Sequence, residues 1–589
     1  MVENKKIQVL IIKKYKWSLS KNIKMFRIIY SKIWSLLNTR QRSQLVALFL
    51  LMFVGMILEM LSVGIFIPMM TTSNNDIIKD LLPELNNGFS QDNSTVIFFL
   101  LAILILYLIK GAYQVFLSYK QVEFAFDIQN YLSEKIFTIY IKQSLSFFAE
   151  KNSSELVNNS INEITILTFN GIIQGLLLIT ELFVTLGIVT LLLFLEPRGT
   201  LIVLIIQGVS SVLFQRSTQK KVSNWGKMRQ SYEQERIKHL SQGFAAVKEI
   251  KLRGAESEFI KIYRSSNLGT SEIGKKQQFV QQLPRIWLEF ATIFSIISLV
   301  LFLLFIGHSL NYIFPILAVF AASAFRLLPS VNRILSCIHY LVFASSTVDK
   351  IHSEVNLSDN SEVQKEVDLL GFETISLESV DFKYPSSDIN VINNFSYVVN
   401  RQDKIAIIGT SGSGKSTLMD LLLGLQNPTS GSITINNYEL SSVTRSYHKL
   451  IGYVPQSVYI IDETLEKNIA FGVAEIDIDK KRIYDVIKLA KLDQVVKNLV
   501  GGISGKVGEE GGNLSGGQCQ RIGIARALYH NPQILFFDEA TSSLDESTEK
   551  EILSTIFEIS KDKTVFFITH KKDNLKFFDR VIDLTNSPE

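Results

Sequence analysis

The chain has 589 residues, 47% of them hydrophobic and 20% charged, with a formal net charge of only +4. So weak a charge speaks against nucleic acid as a partner, and two cysteines, Cys337 and Cys519, are too few for a disulfide framework and are read as reduced. The 39 phenylalanines and a mean hydropathy of +0.22, at a length that allows two or more domains, point to a membrane domain joined to a soluble one.

The first 42 residues are rich in Lys and Arg and poor in acids, and they lack the compact apolar core and small-residue cleavage site of a removable signal. In residues 25–37, Phe26, Ile29, Ile33, Trp34 and Leu37 share one face, which predicts an amphipathic helix on the inner membrane surface; the alternative is an ordinary core helix. Apolar stretches lie near residues 45–70, 95–119, 166–195, 201–214, 286–307 and 312–328, each a candidate to cross ~30 Å of hydrocarbon. The fourth is short, but Glu196-Pro197-Arg198 turns the chain between it and the third, so the two read as a hairpin. Six spans put both termini on one side, and the basic N-terminus assigns that side to the cytoplasm. Polar helical stretches, roughly 121–160 and 215–282, are too long for structureless loops. The expected division is a basic segment with the amphipathic helix at 1–44, a transmembrane domain at 45–350, a linker at 351–371 and an α/β domain at 372–589.

In the last region an apolar strand, Ile405-Ala406-Ile407-Ile408, leads into Gly409-Thr410-Ser411-Gly412-Ser413-Gly414-Lys415-Ser416 and then a helical run from Thr417. This strand, G-x-x-x-x-G-K-S loop and helix form a phosphate-binding turn. Gly409, Gly412 and Gly414, with Ser411 between them, let backbone N–H groups approach the phosphates at the positive end of the helix. Lys415 is expected to reach the β- and γ-phosphates and the Ser416 hydroxyl to join a Mg²⁺ shell. A second apolar strand, Ile534-Leu535-Phe536-Phe537, ends in Asp538 and Glu539, at the carboxyl edge where parallel sheets bind ligands.

Leu514-Ser515-Gly516-Gly517-Gln518 has no role in a generic phosphate-loop enzyme. Paired with that loop, it resembles the signature of the ATP-binding cassette (ABC) ATPases. The resemblance extends to other motifs in the family's order. It implies that Tyr384 stacks on adenine, that Gln456 after Tyr453-Val454-Pro455 touches Mg²⁺, and that Asp538 holds Mg²⁺ through water. It further implies that Glu539 is the general base, that Ser543-Leu544-Asp545 is the D-loop, and that His570 contacts the γ-phosphate. Taken singly, Tyr384 could be core, Gln456 a turn and His570 structural. In the family, Ser515, Gly517 and Gln518 of one subunit complete the site held by the phosphate loop of the other. One motif set per chain therefore implies a homodimer with two identical ATP- and Mg²⁺-dependent sites.

The architecture implied is an all-α membrane domain of six transmembrane helices, like that of the type IV ABC exporters, fused to an α/β P-loop ATPase. In those exporters intracellular helices dock on the ATPases, and Ser146-Phe147-Phe148 and residues 251–256 are the candidates here.

Charges inside the spans bear on cargo. At ~1.5 Å of rise per residue, Lys110 lies ~22 Å deep in the second span, Arg326 ~21 Å deep in the sixth, and Arg285 ~33 Å deep at the inner margin of the fifth. Such cations line a ligand path unless they snorkel or pair, Lys110 with Glu59 and Arg285 with Glu289. The segments 55–64, 283–289 and 324–330 resemble the bacterial lipid-linked oligosaccharide flippase and its surface-polysaccharide relatives, which use basic cavity residues for a pyrophosphate. That resemblance implies an ATP-driven flippase or exporter of a polyprenyl-pyrophosphate-linked glycan in the bacterial inner membrane, with an external helix at residues 76–86. Lys110 stands where the family has arginine, keeping the charge but losing the bidentate fork. A general exporter of lipids, drugs or peptides is the alternative, and an ATP-gated channel or regulatory subunit a more distant one.

Overall fold

The computed structural model describes residues 27–64, 93–195, 197–307, 310–357, 367–369, 371–384, 387–508, 511–540 and 546–585. The expected external helix at 76–86, the residues before Arg27 and the Ser543-Leu544-Asp545 run lie outside these residues. By internal contacts the chain forms two units, Met1–Lys142 with Lys151–Asp359, and Gln143–Glu150 with Asn360–Glu589.

The first unit is helical. Helix α1 covers residues 27–36, burying Ile29 and Leu36 while Trp34 stays 45% exposed. Asn38 and Gln41 then cap α2 (Thr39–Gly64) reciprocally: the Gln41 N–H donates to Asn38 Oδ1 at 2.8 Å and the Asn38 N–H to Gln41 Oε1 at 3.1 Å. Helix α3 (Asn93–Ile141) comes next, and then the short α4 (Leu145–Glu150), which belongs to the second unit. Helix α5 (Ser153–Asn158) runs through two π-helical turns, Asn159–Glu163 and Leu167–Ile173, into α6 (Gln174–Leu195). The remaining elements are α7 (Pro197–Ala245), α8 (Val247–Arg253), α9 (Glu256–Phe305), α10 (Leu310–Phe343) and α11 (Ser345–Val355).

Pro197 opens α7 where its missing N–H is harmless. Helices α3, α7 and α9 have 49, 49 and 50 residues. At ~1.5 Å per residue each is more than twice as long as the hydrocarbon is thick, so their polar halves extend beyond the bilayer. Among the described residues five helices are long and apolar enough to cross a membrane, and six if the pair Ser323–Phe343 and Ser345–Val355, bent by 47°, counts as one span. Helix α7 packs along α9, and α6 against both α2 and α10. Gly226 lets α7 approach α10 closely, for a Cβ there would lie 2.2 Å from the Phe343 carbonyl oxygen.

The second unit holds two sheets. One is antiparallel, in the order β2 (Ile392–Asn400), β1 (Thr374–Phe382), β4 (Ser430–Ile435), β5 (Tyr438–Glu439). The other runs β6 (Ile451–Val454), β7 (Ile534–Asp538), β8 (Thr564–Ile568), β3 (Lys404–Ile408), β9 (Arg580–Asp583), and its pairs are parallel. Strand β8 is buried throughout and β7 nearly so, with Phe536 and Phe566 stacked at 4.7 Å, which accounts for their unbroken apolar sequences.

Candidate functional site

Strand β3 delivers the phosphate loop to the carboxyl edge of the parallel sheet, and α12 (Lys415–Leu422) leaves from it. Gly412 and Gly414 take φ of 84° and 89°, in the left-handed region that favours glycine. Gly409 is held to a hydrogen because a Cβ would meet Ser413 Oγ at 2.3 Å. The Lys415 ammonium donates to the Gly409 carbonyl at 3.1 Å and the Thr410 carbonyl at 2.8 Å, arching over the loop. Tyr384 stands beside α12, with its hydroxyl 3.0 Å from Thr417 Oγ1 and its ring edge-on to Phe382.

Three neighbouring strands supply the next group. Gln456 lies two residues past β6, Glu539 one past β7 and His570 two past β8, and these strands pair in register, Val454 with Phe537 and Asp538 with Ile568. Their side chains therefore converge. Gln456 Nε2 donates to Glu539 Oε2 at 2.8 Å, and His570 Nε2 is 2.7 Å from Glu539 Oε1. Glu539 adopts φ 45°, a strained backbone of the kind found at active sites. Burial, then the adjacent Glu539 charge, raises the Asp538 carboxyl above its ordinary range, with Lys415 opposing.

Ser515 caps α13 (Gly516–Tyr529) through a capping box: the Gln518 N–H donates to Ser515 Oγ at 3.3 Å and the Ser515 N–H to Gln518 Oε1 at 2.9 Å. Gly517 lies in the first turn, so the signature presents a helix N-terminus, where an anion is favoured. Among the described residues, no hydrogen bond of Ser515 or Gln518 reaches the chain's own phosphate loop.

In the membrane unit Lys110 and Arg326 meet on a single carboxylate. Lys110 Nζ donates to Glu59 Oε1 at 2.8 Å and to Ser62 Oγ at 2.9 Å, and Arg326 Nε donates to the same Glu59 oxygen. The Glu59 side chain is only 4% exposed. A free belt of three cations is thus not what forms. Arg285 stands apart, with a largely exposed side chain and an ion pair to Glu289 at 3.1 Å one turn along its own helix. Lys110 and Arg326 remain together, two positive charges on one negative.

Known protein families match both units of the chain. The ABC transporter family matches residues 392–542, and the ABC transporter transmembrane region matches residues 52–324. The chain belongs to the ABC transporter family. Its transmembrane region is fused to its ATP-binding cassette, and it is embedded in a membrane. An export ATP-binding/permease protein of Rickettsia felis is 38% identical over 273 residues, 43% of this chain and 47% of that protein. The chain thus spans about half the length of such relatives. An ATP-dependent lipid A-core flippase of Saccharophagus degradans is 27% identical over 85% of this chain and 84% of its own. A solved structure, a bacterial Atm1-family ABC exporter with ATP bound, superposes with a TM-score of 0.76 over 93% of this chain and 94% of that one, at 19% identity, a likeness of fold.

Two residues of this ABC transporter's site have no motif to announce them. Asp420, on α12, sits near Asp538, and burial together with the Asp538 charge pushes its carboxyl up to about 6. Gln520 donates from Nε2 to the Gln456 carbonyl at 2.8 Å, tying the signature helix to the Gln456 turn. The spacing of Asp420 five residues after Lys415 was available as a signal; for Gln520 there was none. Ser416 and Asp538 are hard oxygen donors on facing elements, α12 and β7. Among the described residues no three His, Cys, Asp or Glu side chains gather as metal ligands. That sparse set suits Mg²⁺, which keeps its waters and takes one or two carboxylates plus phosphate oxygens.

Proposed function

We propose that the protein is an ATP-driven flippase that moves a polyprenyl-pyrophosphate-linked oligosaccharide across the bacterial inner membrane, working as a homodimer with its cassettes in the cytoplasm. Glu539, held between Gln456 and His570, is the base: it takes the proton of the attacking water as the new oxygen–phosphorus bond forms and the bond to the bridging oxygen breaks, releasing ADP and phosphate. Lys415 and the loop N–H groups hold the phosphates, and Tyr384 flanks the adenine. Ser416, Gln456 and Asp538 hold Mg²⁺, which neutralises charge on the phosphate oxygens when bound. Ser515, Gly517 and Gln518 face the partner's nucleotide.

The observation that carries the cargo class is the pair of cations, Lys110 and Arg326, sharing Glu59 within the membrane. A cluster with excess positive charge suits an anionic headgroup, and the lipid A-core flippase similarity supports a lipid cargo. The test is flipping of a short-sugar polyprenyl pyrophosphate in proteoliposomes. ATP-dependent flipping that falls at least tenfold in the double variant Lys110→Met, Arg326→Met is expected. Flipping of that lipid unchanged in the double variant would remove the charge argument, and no flipping at all by the parent protein would remove the cargo.

A further inference from the structure

A crevice of about 440 Å³ lies between α1 and the helices behind it, in the size range of a ligand pocket. Trp34, Leu37, Phe49 of α2, Ile128, Ile172 and Leu176 are among the residues that line it. It exists because residues 171 and 175, one turn apart, are glycines: the Tyr30 ring already stands 3.9 Å from where a Gly175 Cβ would be. Any side chain larger than alanine at 175 would enter the space. The lining is hydrocarbon except for Arg27, Ser31 and the Tyr30 hydroxyl. Among the described residues Arg27 has no ion pair, and Tyr30 and Trp34 are the aromatic types that mark the membrane–water boundary.

We propose that this crevice binds one glycerophospholipid of the inner leaflet, an acyl chain in the hydrocarbon cleft and the phosphate on Arg27. Water is a poor occupant of an apolar cleft, and in a membrane-embedded unit the apolar solvent at hand is lipid. The guanidinium fork matches a phosphate bidentately. The site is separate from the cargo path, sharing no lining residue with the Glu59, Lys110 and Arg326 cluster. The bound lipid fastens α1 to the π-helical turn Leu167–Ile173, which contributes Gly171 and Ile172 to the lining.

Native mass spectrometry of the full chain, purified from nanodiscs of phosphatidylglycerol and phosphatidylcholine, reads the lipid retained per chain. The parent protein and Gly175→Ala should each keep one phospholipid, enriched in phosphatidylglycerol. Gly175→Leu should lower retention at least tenfold, and Arg27→Ala should abolish the headgroup preference. Equal retention by Gly175→Leu overturns the proposal. So does an unchanged headgroup preference in Arg27→Ala, which decides the matter if Gly175→Leu does not fold. A chain lacking residues 2–24 should retain the same lipid; a several-fold rise on that deletion would mean that the N-terminal segment fills the crevice, and the proposal fails.

Discussion

Deleting the Glu59 carboxylate should be strongly damaging although Glu59 belongs to no ATP-site motif. Glu59 accepts charge-assisted hydrogen bonds from both Lys110 and Arg326, and its side chain is 4% exposed. Glu59→Ala leaves two cations facing each other in a low-dielectric interior. Removing one partner of a buried ion pair costs about 3–5 kcal/mol. At a few degrees per kcal/mol for a large domain, that is a drop in melting temperature of roughly 5–10 °C. The assay is intrinsic-fluorescence melting of the detergent-purified protein, run with Glu59→Ala, with Lys110→Met plus Arg326→Met, and with all three changes together. If the mutual pairing is what matters, the triple variant should melt well above Glu59→Ala, because no charge is left without a partner. A triple variant less stable than Glu59→Ala, or a Glu59→Ala protein that melts with the parent, refutes this reasoning.

Three other outcomes are expected. Glu539→Gln should lower phosphate release at least ~10²-fold, the usual contribution of a general base, while leaving binding of a fluorescent ATP analogue intact; release at the parent rate would assign the base elsewhere. Without nucleotide, Asp420 should make the protein more stable as pH falls. Its carboxyl is raised to about 6 in the folded chain against ~3.9 unfolded, so the folded state binds the proton more tightly, and the gain begins near pH 6 and is complete below about pH 4. The melting temperature of Asp420→Asn should accordingly depend less on pH over that window, and a curve parallel to the parent's would contradict the assignment. Gly226→Ala drives a methyl against the Phe343 carbonyl and should destabilise by about 1–3 kcal/mol, read by the same melting assay.

The sequence was most readable where chemistry is local. A strand, a glycine-rich turn and a helix lie within twenty residues, so the conformations at Gly412 and Gly414 are legible from spacing alone. The apolar runs of the spans and of β7 and β8 are likewise legible, since burial on every side leaves no room for alternation. Pairing over distance was harder. Lys110 pairs with Glu59, 51 positions away, as the alternative reading allowed, but Arg326, 267 positions away, joins the same carboxylate unannounced, and the two cations become one network on it. Arg285 is the opposite case: its partner, Glu289, lies one turn away and was open to reading from spacing, but the exposure of the pair was not. Asp420, on α12, owes its raised pKa first to burial and then to the charge of Asp538, which arrives on β7.

The two π-helical turns have a consequence for angular phase. Glu163 and Glu181 are eighteen positions apart, five full turns of an ideal α-helix, so in uninterrupted helix they would point the same way. The wide turn Leu167–Ile173 lies between them, and each residue it absorbs rotates the helix beyond it by about 100°. Glu163 is thereby free to meet Arg229 of α7 at 2.9 Å and Thr347 of α11 at 2.7 Å, while Glu181 meets Arg333 of α10 at 2.6 Å. One continuous rod addresses two different sets of neighbours, and rewinding that turn as ordinary α-helix with every residue kept would bring both carboxylates onto one meridian.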